Sequence, residues 1–136
     1  MKYFTKEYIK ECDCREIQGL RKKFQEGDWY FNVKFPTYKP STVDMEEGGT
    51  VFQNRWRKNV IWLPKDQLDE EIVKICKERF RNDDFTYYFN YNNNVLPDVV
   101  YFTAGLVHKG DICLNSNNPL IAKIKLLKQL LKESEE

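Results

Sequence analysis

Cys12-Asp13-Cys14, together with His108 and Cys113, holds enough thiolate and imidazole donors for zinc, which takes four such ligands in a tetrahedron. The spacing argues against it. A Cys-x-Cys pair followed far along the chain by a lone His-x4-Cys lacks the Cys-x2-Cys knuckle of zinc motifs, and buried or incidental thiols are the plainer reading. His108 is the single histidine, so any imidazole acid, base or nucleophile-activating scheme must run through it. A pair with Cys113 would need contact at about 3 Å, and Gly105 and Gly110 place the histidine near a turn. Asp66, Asp69, Glu70 and Glu71 resemble acid–base or divalent-cation chemistry, yet compensation of a helix dipole accounts for all four. The chain has no Gly-x-x-x-x-Gly-Lys, Gly-x-Gly-x-x-Gly, Gly-x-Ser-x-Gly or His-Glu-x-x-His.

The segment Asn54-Arg55-Trp56-Arg57-Lys58-Asn59 is the best nucleic-acid candidate. Arg55, Arg57 and Lys58 would meet phosphates while an aromatic stacks a base. Strand alternation turns Trp56 to the face opposite the arginines, which suits a core residue better than a stacking platform. Tyr88, on the face away from Tyr87, is the other aromatic that a base could use. Lys123, Lys125, Lys128 and Lys132 offer an acidic partner or lipid surface a basic stripe, but Glu133, Glu135 and Glu136 beside them read as a solvated helix end.

These residues are carried by a chain of 136 residues, 41% hydrophobic and 15% aromatic, enough for one core without staples. Charged residues make up 32%, so evenly split that the net charge is +1, which argues against a dedicated polyanion binder. The start, Met1 to Glu7, lacks an apolar signal core, and no apolar run approaches the ~20 residues of a membrane span. The expectation is a soluble, cytoplasmic protein with free thiols at Cys12, Cys14, Cys76 and Cys113 and no cofactor.

The hydrophobic period supplies the elements. Phe4, Tyr8, Ile9 and Cys12 predict a short helix, and Asp13 three residues before Glu16 predicts a capped second one through Ile17, Leu20 and Phe24, stopping at Gly27. Trp29, Phe31, Val33 and Phe35 alternate as a strand. A polar stretch over 36–49 reads as a mobile loop, and 50–56 and 59–63 as a hairpin. Val60 to Leu63 is apolar on both faces and is expected to be central. Pro64 leads to Asp66, placed to cap a helix with Leu68, Ile72, Ile75 and Phe80 inward. Phe85 to Tyr91 is an aromatic strand ending at an Asn92-Asn93-Asn94 turn. Residues 99–107 fit a strand better than a helix, and Asn118-Pro119 opens the last helix.

Three stretches, Lys10-Glu11-Cys12-Asp13-Cys14-Arg15-Glu16-Ile17-Gln18, Gly27-Asp28-Trp29 and Ile61-Trp62-Leu63-Pro64-Lys65-Asp66-Gln67-Leu68, resemble the ordered motifs of a family. It is an uncharacterised group of small proteins of phages and prophages in low-GC Gram-positive and related bacteria. Its pattern reads Cys-Pro-Glu-Ile-Gln, then Trp-Leu-Pro-Arg-Gln-Asp-Gln-Leu. Here Arg15 stands for the proline and Lys65-Asp66 for Arg-Gln-Asp, one residue shorter. The resemblance covers about the first 75 residues, apart from 36–58. It implies a mobile-element origin and a bacterial cytoplasm, but no reaction and no catalytic residues.

Together these readings predict a single α+β domain over 1–136. Its mainly antiparallel sheet of four or five strands is covered by helices near 5–12, 14–26, 66–81 and 119–133. The expected function is a non-enzymatic accessory or interaction protein with a protein partner. The alternatives are a weak nucleic-acid binder using Arg55, Arg57, Lys58 and Tyr88, and a small metal-dependent enzyme around Cys12, Cys14, His108 and Cys113.

Overall fold

The computed structural model describes residues 4–21, 23–34, 39–43, 59–96 and 99–134. The chain is α+β, and it groups into two compact units, Lys2–Lys65 and Asp66–Glu136.

The first unit opens with helix α1 (Lys6–Cys12), whose N-cap Thr5 accepts a side-chain hydrogen bond from the Tyr8 N–H at 3.1 Å. Helix α2 is short (Arg15–Gln18), and its N-cap is Cys14, with no side-chain cap bond. Asp13 instead terminates α1, its N–H reaching the Ile9 carbonyl, so the expected Asp13 cap does not form. Nor does α2 extend to 26. Beyond Gln18 the chain turns at Gly19, and the Arg21 side chain is drawn to Asp28, which also accepts the Gln25 N–H. Gly27 sits at φ +88°, a conformation glycine adopts without strain, and its N–H meets the Val43 carbonyl.

Strand β1 (Trp29–Asn32) lies between β2 (Ser41–Thr42) and β3 (Val60–Trp62), antiparallel to both. Among the described residues, then, β1 is central and β3 is not. The apolar faces of β3 still find cover, since Ile61, Trp62 and Leu63 are all buried. Short β2 falls inside the stretch read as a mobile loop. The predicted hairpin strand over 50–56 lies outside the described residues.

The second unit carries helix α3 (Gln67–Arg79), a 3-10 turn (Arg81–Asp83), strands β4 (Thr86–Leu96), β5 (Val99–Val107) and β6 (Asp111–Ser116), and helix α4 (Pro119–Ser134). The strands form an antiparallel meander in the order β4-β5-β6. The chain therefore builds two three-stranded sheets among the described residues, where one sheet of four or five strands is expected. β4 runs on through the asparagines read as a turn, with a register shift between Asn92 and Leu96. Residues 99–107 are a strand, as their β-branched and aromatic content favours.

Asp66 occupies the N-cap of α3 in helical conformation with no side-chain cap bond, so it does not cap as expected. Asn118 does: its Oδ1 accepts from the N–H groups of Leu120 (2.9 Å) and Ile121 (3.2 Å). Leu120, Ile121, Ile124, Leu127 and Leu130 of α4 are buried, joined by Ala122 and Leu126, and α4 packs on α3, β5 and β6. Leu68, Ile72 and Cys76 are the buried stripe of α3, while Ile75 and Phe80 are half-buried. Among the described residues, no helix is long and apolar enough to cross a membrane.

Candidate functional site

All of the first two motif stretches and Ile61 to Lys65 of the third lie inside the first unit, where they do structural work, while Asp66, Gln67 and Leu68 belong to the second. The Gln18 side-chain amide donates to the carbonyls of Cys12 (2.9 Å) and Trp62 (3.0 Å) and accepts the Trp62 N–H (2.8 Å), behaving as one residue of an added strand. Asp28, 2% exposed, takes a two-point ion pair from Arg21, Nε to Oδ2 at 2.8 Å and Nη2 to Oδ1 at 2.6 Å. The same guanidinium lies 5.5 Å from the Trp62 ring centre. The Tyr8 hydroxyl donates to the Pro64 carbonyl. Burial above all, then the neighbouring Cys12 thiol, pushes the Tyr8 phenol far above its ordinary value. Every one of these groups is spent on holding its neighbours.

In the second unit the sheet has two unlike faces. Toward α4 point Tyr87, Phe89, Leu106, Ala104, Ile112 and Leu114, the register placing them in cross-strand rows. The opposite face carries Thr86, Val107 and Asp111 in one row, Tyr88, Gly105 and Cys113 in the next, and Asn90, Thr103 and Asn115 in the third. Thr86, Asn90, Asp111, Cys113 and Asn115 are exposed, so this face is open to solvent.

Gly105 explains the middle row. A Cβ there would collide with the Tyr88 ring, so the missing side chain lets Tyr88 lie across β5 toward β6. Its hydroxyl stands 2.8 Å from Cys113 Sγ and 3.2 Å from Asp111 Oδ1, with 3.5 Å between Sγ and that same oxygen. The bond to Cys113 first, then desolvation and Asp111, raises the Tyr88 phenol above its usual range and holds it neutral. In the third row Thr103 Oγ1 donates to Asn115 Oδ1 at 2.6 Å.

His108 sits apart from Cys113. Its ring stacks on Phe80, centres 3.8 Å apart, and Nδ1 lies 2.5 Å from the Asp84 carbonyl oxygen. A carbonyl only accepts, so the contact is a hydrogen bond with Nδ1–H as donor. The imidazole lines a cavity of about 160 Å³ with Arg79, Phe80, Leu106, Gly110, Ile112 and Glu133. Leu106 and Ile112 belong to the sheet face opposite that of Cys113, which explains why no cysteine–histidine contact forms. Arg79 is committed to Glu133 Oε2 (3.2 Å) and to the Leu130 carbonyl (2.5 Å).

The remaining sequence candidates divide. All four cysteines are free: Cys12 and Cys76 are buried, Cys14 is half-buried with its thiol toward the Glu11 carbonyl, and Cys113 is exposed. Among the described residues no three His, Cys, Asp or Glu side chains gather as a metal centre requires. Asp69, read from sequence as dipole compensation, accepts from the Tyr87 hydroxyl (2.5 Å) and from Lys123 (3.0 Å), tying α3 to β4 and α4. Arg55, Arg57 and Lys58 lie outside the described residues. The role of Gly105 under Tyr88 escaped the sequence reading, though an isolated glycine inside a strand pattern is a signal for close approach. Comparisons with protein-family models, with curated proteins and with solved structures return no match to this chain.

Proposed function

We propose that this chain is a non-enzymatic accessory protein that binds a protein partner through the open face of β4-β5-β6. The observation that carries this reading is Tyr88, laid across Gly105 on a solvent-facing sheet and flanked by Asn90, Asn115 and Thr86. Tyrosine with asparagine and hydroxyl side chains is the chemistry of adaptable protein-recognition surfaces, because it offers contact area at little entropic cost together with flexible hydrogen bonding. Charge complementarity favours a protein over a nucleic acid. The described residues of this face include no Lys or Arg and a single charge, the Asp111 carboxylate, which repels phosphates and suits a partner presenting amide donors and a cation. A phage or prophage origin and a bacterial cytoplasmic setting, implied by the resemblance of the motif stretches, belong to the same proposal.

The test compares immobilised wild-type chain with Tyr88→Ala and Asn90→Arg in capture from bacterial extracts, followed by titration of the captured protein. The expected result is a partner held by the wild type and weakened at least tenfold by each variant. Capture of the same proteins by all three chains with equal affinity would sink the reading. Binding of labelled single-stranded DNA that falls steeply with salt would replace it with the nucleic-acid alternative through Arg55, Arg57, Lys58 and Tyr88.

A further inference from the structure

Among the described residues, β6 is the regular outer strand of its sheet. β4, at the other edge, shifts register between Asn92 and Leu96, whereas β6 pairs with β5 without a break from Val107↔Asp111 to Phe102↔Ser116. Outer strands that must stay unpaired usually carry charges, above all lysine, or a proline or a bulge. Asp111-Ile112-Cys113-Leu114-Asn115-Ser116 has one charge, at its first residue, and no lysine, proline or bulge. Its core-facing side chains also end short of full cover. Ile112 and Leu114 are half-buried, whereas Leu106 and Ala104 beside them on β5 are 2% and 0% exposed.

We propose that β6 pairs with the β6 of a second copy of this chain, antiparallel about a two-fold axis at Cys113, making one six-stranded sheet. The occupant follows from the strand's self-complementarity. In a two-fold antiparallel pair the numbers of facing residues have a constant sum, and that sum must be even for each side chain to stay on its own face. An axis at Cys113 sets Ile112 against the partner's Leu114, twice, on the core side, and Asp111 against the partner's Asn115, twice, on the open side. Shifting the axis to Leu114 would keep one apolar contact, Leu114 against the partner's Leu114, but would set Ile112 against the partner's Ser116 and lose both Ile–Leu pairs. The pairing runs through the backbone edge of β6, and although Asp111 and Asn115 also belong to the proposed recognition face, dimer mass and capture through Tyr88 are read separately, so either can fail alone.

The experiment measures the mass of the full chain by sedimentation over a wide range of micromolar concentrations. A reversible dimer is expected, and Cys113→Ser retains it. At the axis the two Cys113 Cα atoms would stand about 4.5–5.5 Å apart, within disulfide reach. Copper-phenanthroline with dioxygen, taking two electrons and two protons from the thiol pair, therefore cross-links the wild type and not Cys113→Ser. Asn115→Lys, facing the partner's Asp111 at two symmetric positions, tightens the dimer several-fold, and Asn115→Asp weakens it by a similar factor. Circular dichroism checks that both variants fold. A monomer mass at every concentration overturns the proposal, as does a dimer whose affinity ignores both Asn115 variants.

Discussion

Gln18 shows how one side chain can replace a strand. Its amide satisfies both the N–H and the C=O of Trp62 while also reaching back to the end of α1. Removing it leaves buried backbone groups without partners, and each such group costs about 1–3 kcal/mol. Gln18→Ala is therefore expected to lower unfolding stability by roughly that amount, read as a drop in the urea midpoint with unchanged slope. Gln18→Glu should cost a similar amount, because a carboxylate cannot donate to either carbonyl. An unchanged midpoint in both variants would mean the amide is dispensable. The sequence placed Gln18 in a recognisable stretch, yet its partners are 6 and 44 residues away. No local pattern could name them.

At the level of elements, α4 was the most legible because its information is local. Asn118-Pro119 and the apolar spacing from Leu120 to Leu130 sit in one continuous segment, and the Asn118 cap forms as expected. Asn118→Ala should cost about 0.5–2 kcal/mol, seen as a lowered melting temperature. Of the second sheet, β4 and β5 were legible as strands, whereas β6 and the two-faced chemistry were not. Gly105→Ala tests that chemistry. The added methyl would meet the outer end of the Tyr88 ring, so Tyr88 should swing away while the strands persist. Cys113 then loses its hydroxyl partner and should react several-fold faster with a thiol reagent, with far-UV circular dichroism unchanged. An unaltered rate would show that Tyr88 does not shield the thiol. The helix expected over 14–26 failed at the same scale, because the buried Arg21–Asp28 ion pair captures the chain that local periodicity would have continued into α2.

For the whole chain, tyrosines with raised phenols set a pH limit, Tyr8 and Tyr87 through burial first and Tyr88 through its bond to Cys113 first. Burial raises the phenols of both Tyr8 and Tyr87, assisted in Tyr87 by its hydrogen bond to Asp69. A folded value above the unfolded one means stability is fully present below the unfolded value and is lost as pH rises through the folded one. As pH passes about 10, the tyrosines of the unfolded state lose protons that the folded state retains, and unfolding becomes easier. Urea unfolding measured between about pH 8 and pH 11 should show stability falling steeply above about pH 10. The fall should be shallower in Tyr8→Phe and Tyr87→Phe, after their own loss of a hydrogen bond is subtracted. A slope identical to wild type in both variants would assign the alkaline limit to other groups.

The sequence by itself determined the α+β class and the helices at 6–12, 67–79 and 119–134, and it inclined 99–107 to a strand. These rest on hydrophobic period and turn chemistry, which act over a few residues. It also showed that no familiar catalytic motif is present. Tertiary structure decided the rest. It divided the described strands between two sheets, tied Gln18 to Trp62, Arg21 to Asp28 and Tyr8 to Pro64, and separated His108 from Cys113 by giving them opposite faces of one sheet. Pairing and facing depend on contacts between residues far apart in the chain, and a linear pattern specifies each strand's two faces without saying what will cover either.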